Sequence, residues 1–341
     1  MVKVGLIGCG YWGPKLARNF HEMSTAQLAW ICDYQEERLE HLKGLYPYVR
    51  ATRDYEEMLA SDVEAVCIAT PVSTHARLAL ASLAAGKHIL VEKPLAANSR
   101  EAEEIVRRGD QVRRVVMVGH TFQYNPAVEA VRRIVAGGEL GEIFYINSTR
   151  VNLGLFQTDV NVMWDLAPHD ISILCYVLGL DPISVSARGG VYVQKDKGIH
   201  DIAHLTLGFP NGILADLRVS WLDPFKIRRI TIVGSRKMLV YDDIADDKIT
   251  IFDKGVDVPP YSDTMEQFKL SYRYGDSTVV PIEWVEPLRM ECEHFVTCIR
   301  SGQTPCSDGR VGLKVVRILE AAQSSLLDSG MPVKIMWRKD P

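Results

Sequence analysis

Short apolar runs alternate with amphipathic stretches over the first third of the chain. VKVGLI (2–7), LAWIC (28–32), VEAVCIA (63–69), HILV (88–91) and VVMV (115–118) each read as a buried strand. Helical patterns lie between them. PKLARNFHEM from Pro14 carries Leu16, Phe20 and Met23 on one face, and QEERLEHLKGLY follows Asp33. A short acidic helix starts at Asp54, and THARLALASLAAG runs from Thr74 to its stop at Gly86. NSREAEEIVRRGDQV opens with a capping box, Asn98 with Glu101 three residues on. Apolar strands separated by helices predict a parallel sheet covered on both faces, an α/β domain over residues 1–121.

Beyond that point the period changes. Six β-rich stretches, beginning at Phe144, Ile183, Ile202, Gly212, Arg229 and Lys237, lack long helices between them. Pro210-Asn211-Gly212 and Val233-Gly234-Ser235 supply turn chemistry. The expectation is an α+β domain over 122–330, built on a large open, predominantly antiparallel sheet. Helical patterns return from Pro287 and Gly309, and 331–341 is a terminal segment.

Composition narrows the class. The 341 residues are 47% hydrophobic and 24% charged, with a net charge of -4, which argues against nucleic acid as a partner. No signal-peptide pattern and no apolar run of about 18 residues occurs, so no membrane association is expected. Seven cysteines without CxxC spacing fit neither a zinc knuckle nor a disulfide framework, and a cytoplasmic setting is expected.

The first strand runs into Gly8-Cys9-Gly10-Tyr11-Trp12-Gly13, a G-x-G-x-x-G turn that opens a helix. Such a turn brings backbone close to a pyrophosphate and sets it against free helix N–H groups. Asp33 ends the second strand 20 residues after Gly13, where a carboxylate holds a ribose diol and repels a 2'-phosphate. Only Tyr34 and Gln35 follow it, so the expected cofactor is NAD. Ligands of such sheets lie beyond the carboxyl ends of the strands, which makes Thr70 and Pro71 expected cofactor contacts. His75 either faces the cofactor or caps its helix. Glu92-Lys93-Pro94 ends the next strand, with Lys93 aimed into the crevice or at solvent.

WDLAPHD, residues 164–170, is the second concentration of polar chemistry. If a helix begins near Leu166 with Pro168 in its first turn, Asp165 and His169 share one face. Asp165 then either caps the helix or orients His169 as an acid–base pair. Two ligands at this spacing fall short of a zinc set, and no metal is expected.

The GCGYWG turn, EKP at 92–94 and D-x-x-x-H at 165–169 together resemble the glucose-fructose oxidoreductase, inositol dehydrogenase and rhizopine catabolism family. The likeness runs over essentially the whole chain. It implies a Rossmann domain, an open-sheet second domain used for dimer or tetramer contacts, and an active site between the domains. It also implies that Lys93 stabilises the reacting oxygen, that His169 is the acid–base residue and that Asp165 holds substrate or histidine. Ala167, where many members carry glycine, is a departure. YWGP, WDLAPHDIS and VSWLDP look closest to enzymes oxidising C3 of UDP-N-acetylglucosamine or its uronic acid, whose product a partner aminotransferase consumes. Arg150 and Asn152, or Arg228 and Arg229, would then meet the substrate's anionic groups, and Tyr124 and Asn125 would line the crevice. A free polyol such as inositol is the alternative substrate; a catalytically silent NAD-binding sensor is the alternative class.

Overall fold

The computed structural model describes residues 1–257 and 271–337. It divides into two compact units, Met1–Asn125 with Val285–Glu320, and Pro126–Trp284 with Ala321–Pro341. Residues 338–341 of the expected terminal segment lie outside the described residues.

The first unit is a six-stranded parallel sheet in the order β3-β2-β1-β4-β5-β6. Its strands are β1 (Val2–Ile7), β2 (Ala26–Cys32), β3 (Arg50–Thr52), β4 (Ala65–Ile68), β5 (His88–Glu92) and β6 (Val116–Gly119). The helices are α1 (Gly13–Glu22), α2 (Glu36–Leu45), α3 (Tyr55–Leu59), α4 (Val72–Ala84) and α5 (Ser99–Val112). Every residue of β4 and β6 is buried, as both-face coverage demands. The chain reverses its direction of winding between β1 and β4, which opens a crevice at their carboxyl ends.

Two later helices, α8 (Pro287–Ser301) and the part of α9 (Gly309–Leu327) up to Glu320, belong to this unit rather than to a continuous block over 122–330. The reason is packing. Leu288, Cys292, Phe295 and Val296 of α8 join one apolar cluster with Leu16 and Phe20 of α1. The connection after α8 also protects the sheet edge. The Val118 N–H donates to the Ser307 carbonyl at 2.8 Å and Met117 bridges Asp308, so β6 is not left open.

The second unit carries a nine-stranded sheet. It is formed by β7 (Ile143–Val151), β8 (Ser184–Gly190), β9 (Ile202–Gly208), β10 (Leu214–Ser220), β11 (Ile227–Gly234), β12 (Met238–Asp242), β13 (Ile249–Asp257), β14 (Ser271–Val279) and β15 (Val333–Lys334). Only β7 and β10 pair in parallel; the other neighbours are antiparallel. Alternation sets the faces. Ala215, Leu217 and Val219 of β10 are buried, while Leu214, Asp216 and Arg218 point to the open side. Helices α6 (Pro126–Ala136) and α7 (Val162–Leu178) supply the covering layer, with Val128, Val131, Ile173 and Val177 meeting Ile230 and Ile232 of β11.

One sequence expectation changes here. The central helix starts at Val162, four residues before Leu166, because Asn161 caps it by accepting the Trp164 N–H at 3.1 Å. Asp165 is therefore inside the first turn and is not the cap. Pro168 sits in the helix interior, where it offers no N–H to the Trp164 carbonyl.

Candidate functional site

Within the first unit the sequence-predicted residues collect at the carboxyl ends of β1, β2, β4 and β5. Gly8 has φ +98°, and a Cβ there would lie 2.5 Å from the Ala69 carbonyl oxygen. A Cβ on Gly13 would lie 2.5 Å from the Gly8 oxygen, so α1 starts directly against the turn. No side chain caps α1; Pro14 has no N–H and the Lys15 N–H donates to the Trp12 carbonyl at 3.1 Å, so of the first three helix positions only Gly13 offers an N–H to a phosphate. Asp33 accepts the Cys9 N–H at 2.7 Å and the Gln35 N–H at 2.9 Å. Its carboxylate is thereby fixed at the lip of the turn. Burial, then the Asp33 charge, pushes the Cys9 thiol up to about 12, so this cysteine is a neutral part of the cradle. The residues present fit NAD.

Thr70 and Thr74 share a hydroxyl contact of 2.7 Å at the end of β4, next to Pro71. His75 turns out to be neither an exposed cap nor a lining residue. It is 1% exposed, with Nδ1 2.9 Å from the Pro94 carbonyl and Nε2 2.8 Å from the Thr70 carbonyl. The imidazole is a strut between the β4 end and the Glu92-Lys93-Pro94 turn. Glu92 is buried under that turn, and burial raises its carboxyl to about 7 against the pull of the Lys93 charge.

Four groups that the sequence reading passed over complete this region. Arg38 comes within 3.5 Å of Asp33, one helical turn into α2 and so outside the residues immediately after the strand. Lys15 places its ammonium 3.7 Å from the Tyr11 ring centre and 4.4 Å from that of Trp12, so these two aromatics flank a cation beside the turn. His120, at the end of β6, is 1% exposed, and neither ring nitrogen has a hydrogen-bond partner among the described residues. Burial first, and Lys93 second, depress its pKa to about 3, so the ring is neutral. Glu291 of α8 is fully buried and accepts from the Thr121 hydroxyl at 2.9 Å. Burial and the neighbouring Glu92 hold it well above the usual carboxylate range. The strand-end position of His120 was the readable signal; Glu291 had none, being 171 residues further along.

Tyr124 and Asn125 are both buried. The Tyr124 hydroxyl contacts His294 Nδ1 at 3.0 Å and the Ser307 hydroxyl at 3.1 Å, and Asn125 is 2% exposed.

In the second unit α7 divides the polar residues of WDLAPHD between two faces. Asp165 and His169 are half-buried and one turn apart. Asp165 Oδ2 accepts from the indole N–H of Trp221 at 3.0 Å. Asp170 faces the sheet and pairs with Arg150, Nε to Oδ2 at 2.6 Å and Nη2 to Oδ1 at 3.2 Å, while Ser148 donates to the same carboxylate at 2.9 Å. Arg150 is thus held in the core by Asp170, a correction to its expected place at the substrate. Arg228 and Arg229 are paired as well, with Asp243 and Asp242. Asn152 stays partly exposed beside Gly154, its N–H donating to the Ser220 carbonyl at 3.2 Å. Among the described residues no three His, Cys, Asp or Glu side chains are grouped to hold a metal ion, and no helix is long and apolar enough to cross a membrane.

A parallel sheet with this glycine turn and a carboxylate at the end of its second strand, followed by an open mixed sheet, is the architecture of an NAD-binding Rossmann protein with a second domain. The profile described as the oxidoreductase family, NAD-binding Rossmann fold, matches residues 2–120, and that of the GFO/IDH/MocA C-terminal domain matches 128–240. The chain belongs to the Gfo/Idh/MocA family, and its family-level activity is NAD-dependent oxidoreduction of a sugar or polyol. A solved oxidoreductase candidate from Magnetospirillum magnetotacticum is 32% identical, covering 94% of this chain and 99% of its own, with a TM-score of 0.80. The UDP-N-acetylglucosamine 3-dehydrogenase of Acidithiobacillus ferrooxidans is 28% identical over 92% of this chain and 94% of its own length. The inositol 2-dehydrogenase of Rhizobium meliloti is 26% identical over 96% and 97%.

Proposed function

We propose that this protein oxidises the C3 hydroxyl of a UDP-N-acetylhexosamine, or of its uronic acid, to the 3-keto sugar. The observation that carries the reading is the Asp165–His169 pair, one turn apart on α7 and turned away from the structural Asp170. The 28% identity to a UDP-N-acetylglucosamine 3-dehydrogenase over nearly the full length supports the substrate class.

NAD, when bound, supplies the hydride acceptor. His169 takes the hydroxyl proton, directly or through Lys93, and Asp165 fixes its ring or the substrate. Lys93 stabilises the negative charge that develops on the oxygen. Gly8, Gly10 and Gly13, with Cys9, Tyr11 and Trp12, frame the pyrophosphate; Asp33 holds the adenosine ribose, and Thr70, Pro71, Glu92 and Pro94 complete the strand-end wall. Inositol is the second reading, favoured by the inositol dehydrogenase relatives. The open face of the nine-stranded sheet, with Tyr145 and Leu214 side by side, is the surface for a homodimer or homotetramer. A 3-keto sugar is a substrate for a following aminotransferase.

The test is mass spectrometry of the purified protein incubated with NAD and a panel of UDP-sugars and inositols. A product about two mass units lighter from UDP-N-acetylglucosamine or its uronate is expected. Oxidation of myo-inositol alone would replace this reading with the polyol one.

A further inference from the structure

Trp221 is 1% exposed, immediately after β10, and it is held from several directions. Its backbone N–H donates to the Asp201 carbonyl at 3.0 Å, and its carbonyl accepts the Gly154 N–H at 2.9 Å. A Cβ on Gly154 would stand 3.1 Å from Trp221 Cδ1, so the 152–156 segment lies directly on the indole. The Phe156 ring packs 5.6 Å from it, centre to centre. With the backbone bonded at both its N–H and its carbonyl and with Gly154 and Phe156 against the ring, the indole N–H points at Asp165 Oδ2 at 3.0 Å.

An indole N–H is a donor only. The Asp165 oxygen it meets must act as an acceptor, and turning that carboxylate away would strand a buried donor. A buried indole N–H takes an acceptor wherever it packs, so what bears on the chemistry is which acceptor it meets: Asp165, one helical turn from His169.

We infer that Trp221 is a positioning residue, whose indole N–H fixes the rotamer and the acceptor oxygen of Asp165 for the oxidation step. The inference rests on Asp165 being an active-site group. Trp221 thereby couples the 152–156 segment, including the partly exposed Asn152, to the α7 face that carries His169.

The experiment compares Trp221→Phe, Asp165→Ala and the double variant, with UDP-N-acetylglucosamine, or myo-inositol if that is the compound oxidised. W221F keeps the ring and removes the N–H. Its kcat should fall roughly tenfold or more, as expected for a lost hydrogen bond to a charged acceptor. Its KM for NAD and its melting temperature should stay close to wild type, and W221F/D165A should turn over no more slowly than D165A. An inactive D165A beside a fully active W221F would overturn the positioning role while leaving the site assignment intact. An active D165A would remove the site assignment and this role with it. If W221F does not fold, 15N-tryptophan spectra of wild type and D165A give the answer. The Trp221 indole N–H resonance should move upfield in D165A, and an unmoved resonance would refute the contact.

Discussion

Replacing Asp170 by alanine separates the structural half of WDLAPHD from the chemical half. The carboxylate is 3% exposed and its Arg150 partner 6% exposed, so removal takes the main counter-charge from a guanidinium in the core of the second unit. Burial opposes the Arg150 charge, yet the Asp170 carboxylate holds its pKa above the ordinary arginine value, so the guanidinium stays ionised. Breaking such a pair costs about 3–5 kcal/mol, whereas replacing both partners by apolar residues of similar volume is close to neutral. For a unit of this size, 1 kcal/mol moves the melting temperature by about 2–4 °C, so D170A should melt about 6–20 °C lower. Urea unfolding should show the same loss as a lower midpoint at unchanged slope. R150M/D170L should recover most of the stability. The same double variant tests the expectation from sequence that Arg150 meets the substrate. Stability restored with KM for the sugar unchanged confirms a core pair. A D170A loss under about 1 kcal/mol, or a restored double variant with a greatly raised sugar KM, would refute this reasoning.

Three further outcomes follow from the geometry. His169→Ala and Lys93→Met should each lower turnover by about 10²-fold or more while NAD affinity, read by fluorescence titration, holds within about twofold; parallel losses of both would mark a structural residue. Gly13→Ala should weaken NAD binding at least about tenfold, because its Cβ meets the Gly8 oxygen at 2.5 Å and pushes α1 off the turn; calorimetry showing wild-type affinity would count against the cradle. Glu92 has its folded pKa raised from 4.5 to about 7 by burial, so the folded state holds the extra proton between those values. Its contribution is therefore complete below about pH 4.5 and is lost as pH rises towards 7. Glu92→Gln should remove that decline from pH-dependent denaturation curves, and a slope identical to wild type would contradict a buried neutral carboxyl.

Several elements were legible because their signals are local. The glycine turn, Asp33 and the strand ends at Thr70 and Lys93 sit where spacing along the chain predicts them, since a parallel sheet converts strand length directly into position. Pro168 is a first-turn marker and so places the start of α7 near Leu166 by sequence, whereas Asn161 supplies the cap and the proline lies further in. Helix α6 and strands β13 and β14 lie outside the elements the sequence pattern predicts, although Ala127, Val128, Ala130 and Val131 give α6 a buried face and Ile249 and Ile251 alternate in β13.

Sequence by itself determined the nucleotide-binding half and the family, because a G-x-G-x-x-G turn between strand and helix leaves the backbone little choice. It also determined that Asp165 and His169 share a helix face, since a four-residue spacing does so wherever the helix begins. Tertiary structure alone decided which polar groups are spent on the fold. Arg150 finds Asp170 across the gap between a strand and a helix, and His75 finds two carbonyls from separate strand ends. Glu291 comes to lie near Glu92 and Trp221 meets Asp165 only once the chain has packed. A buried donor or charge must be satisfied by whatever the packing brings within about 3 Å, and that partner carries no mark in the spacing of the chain.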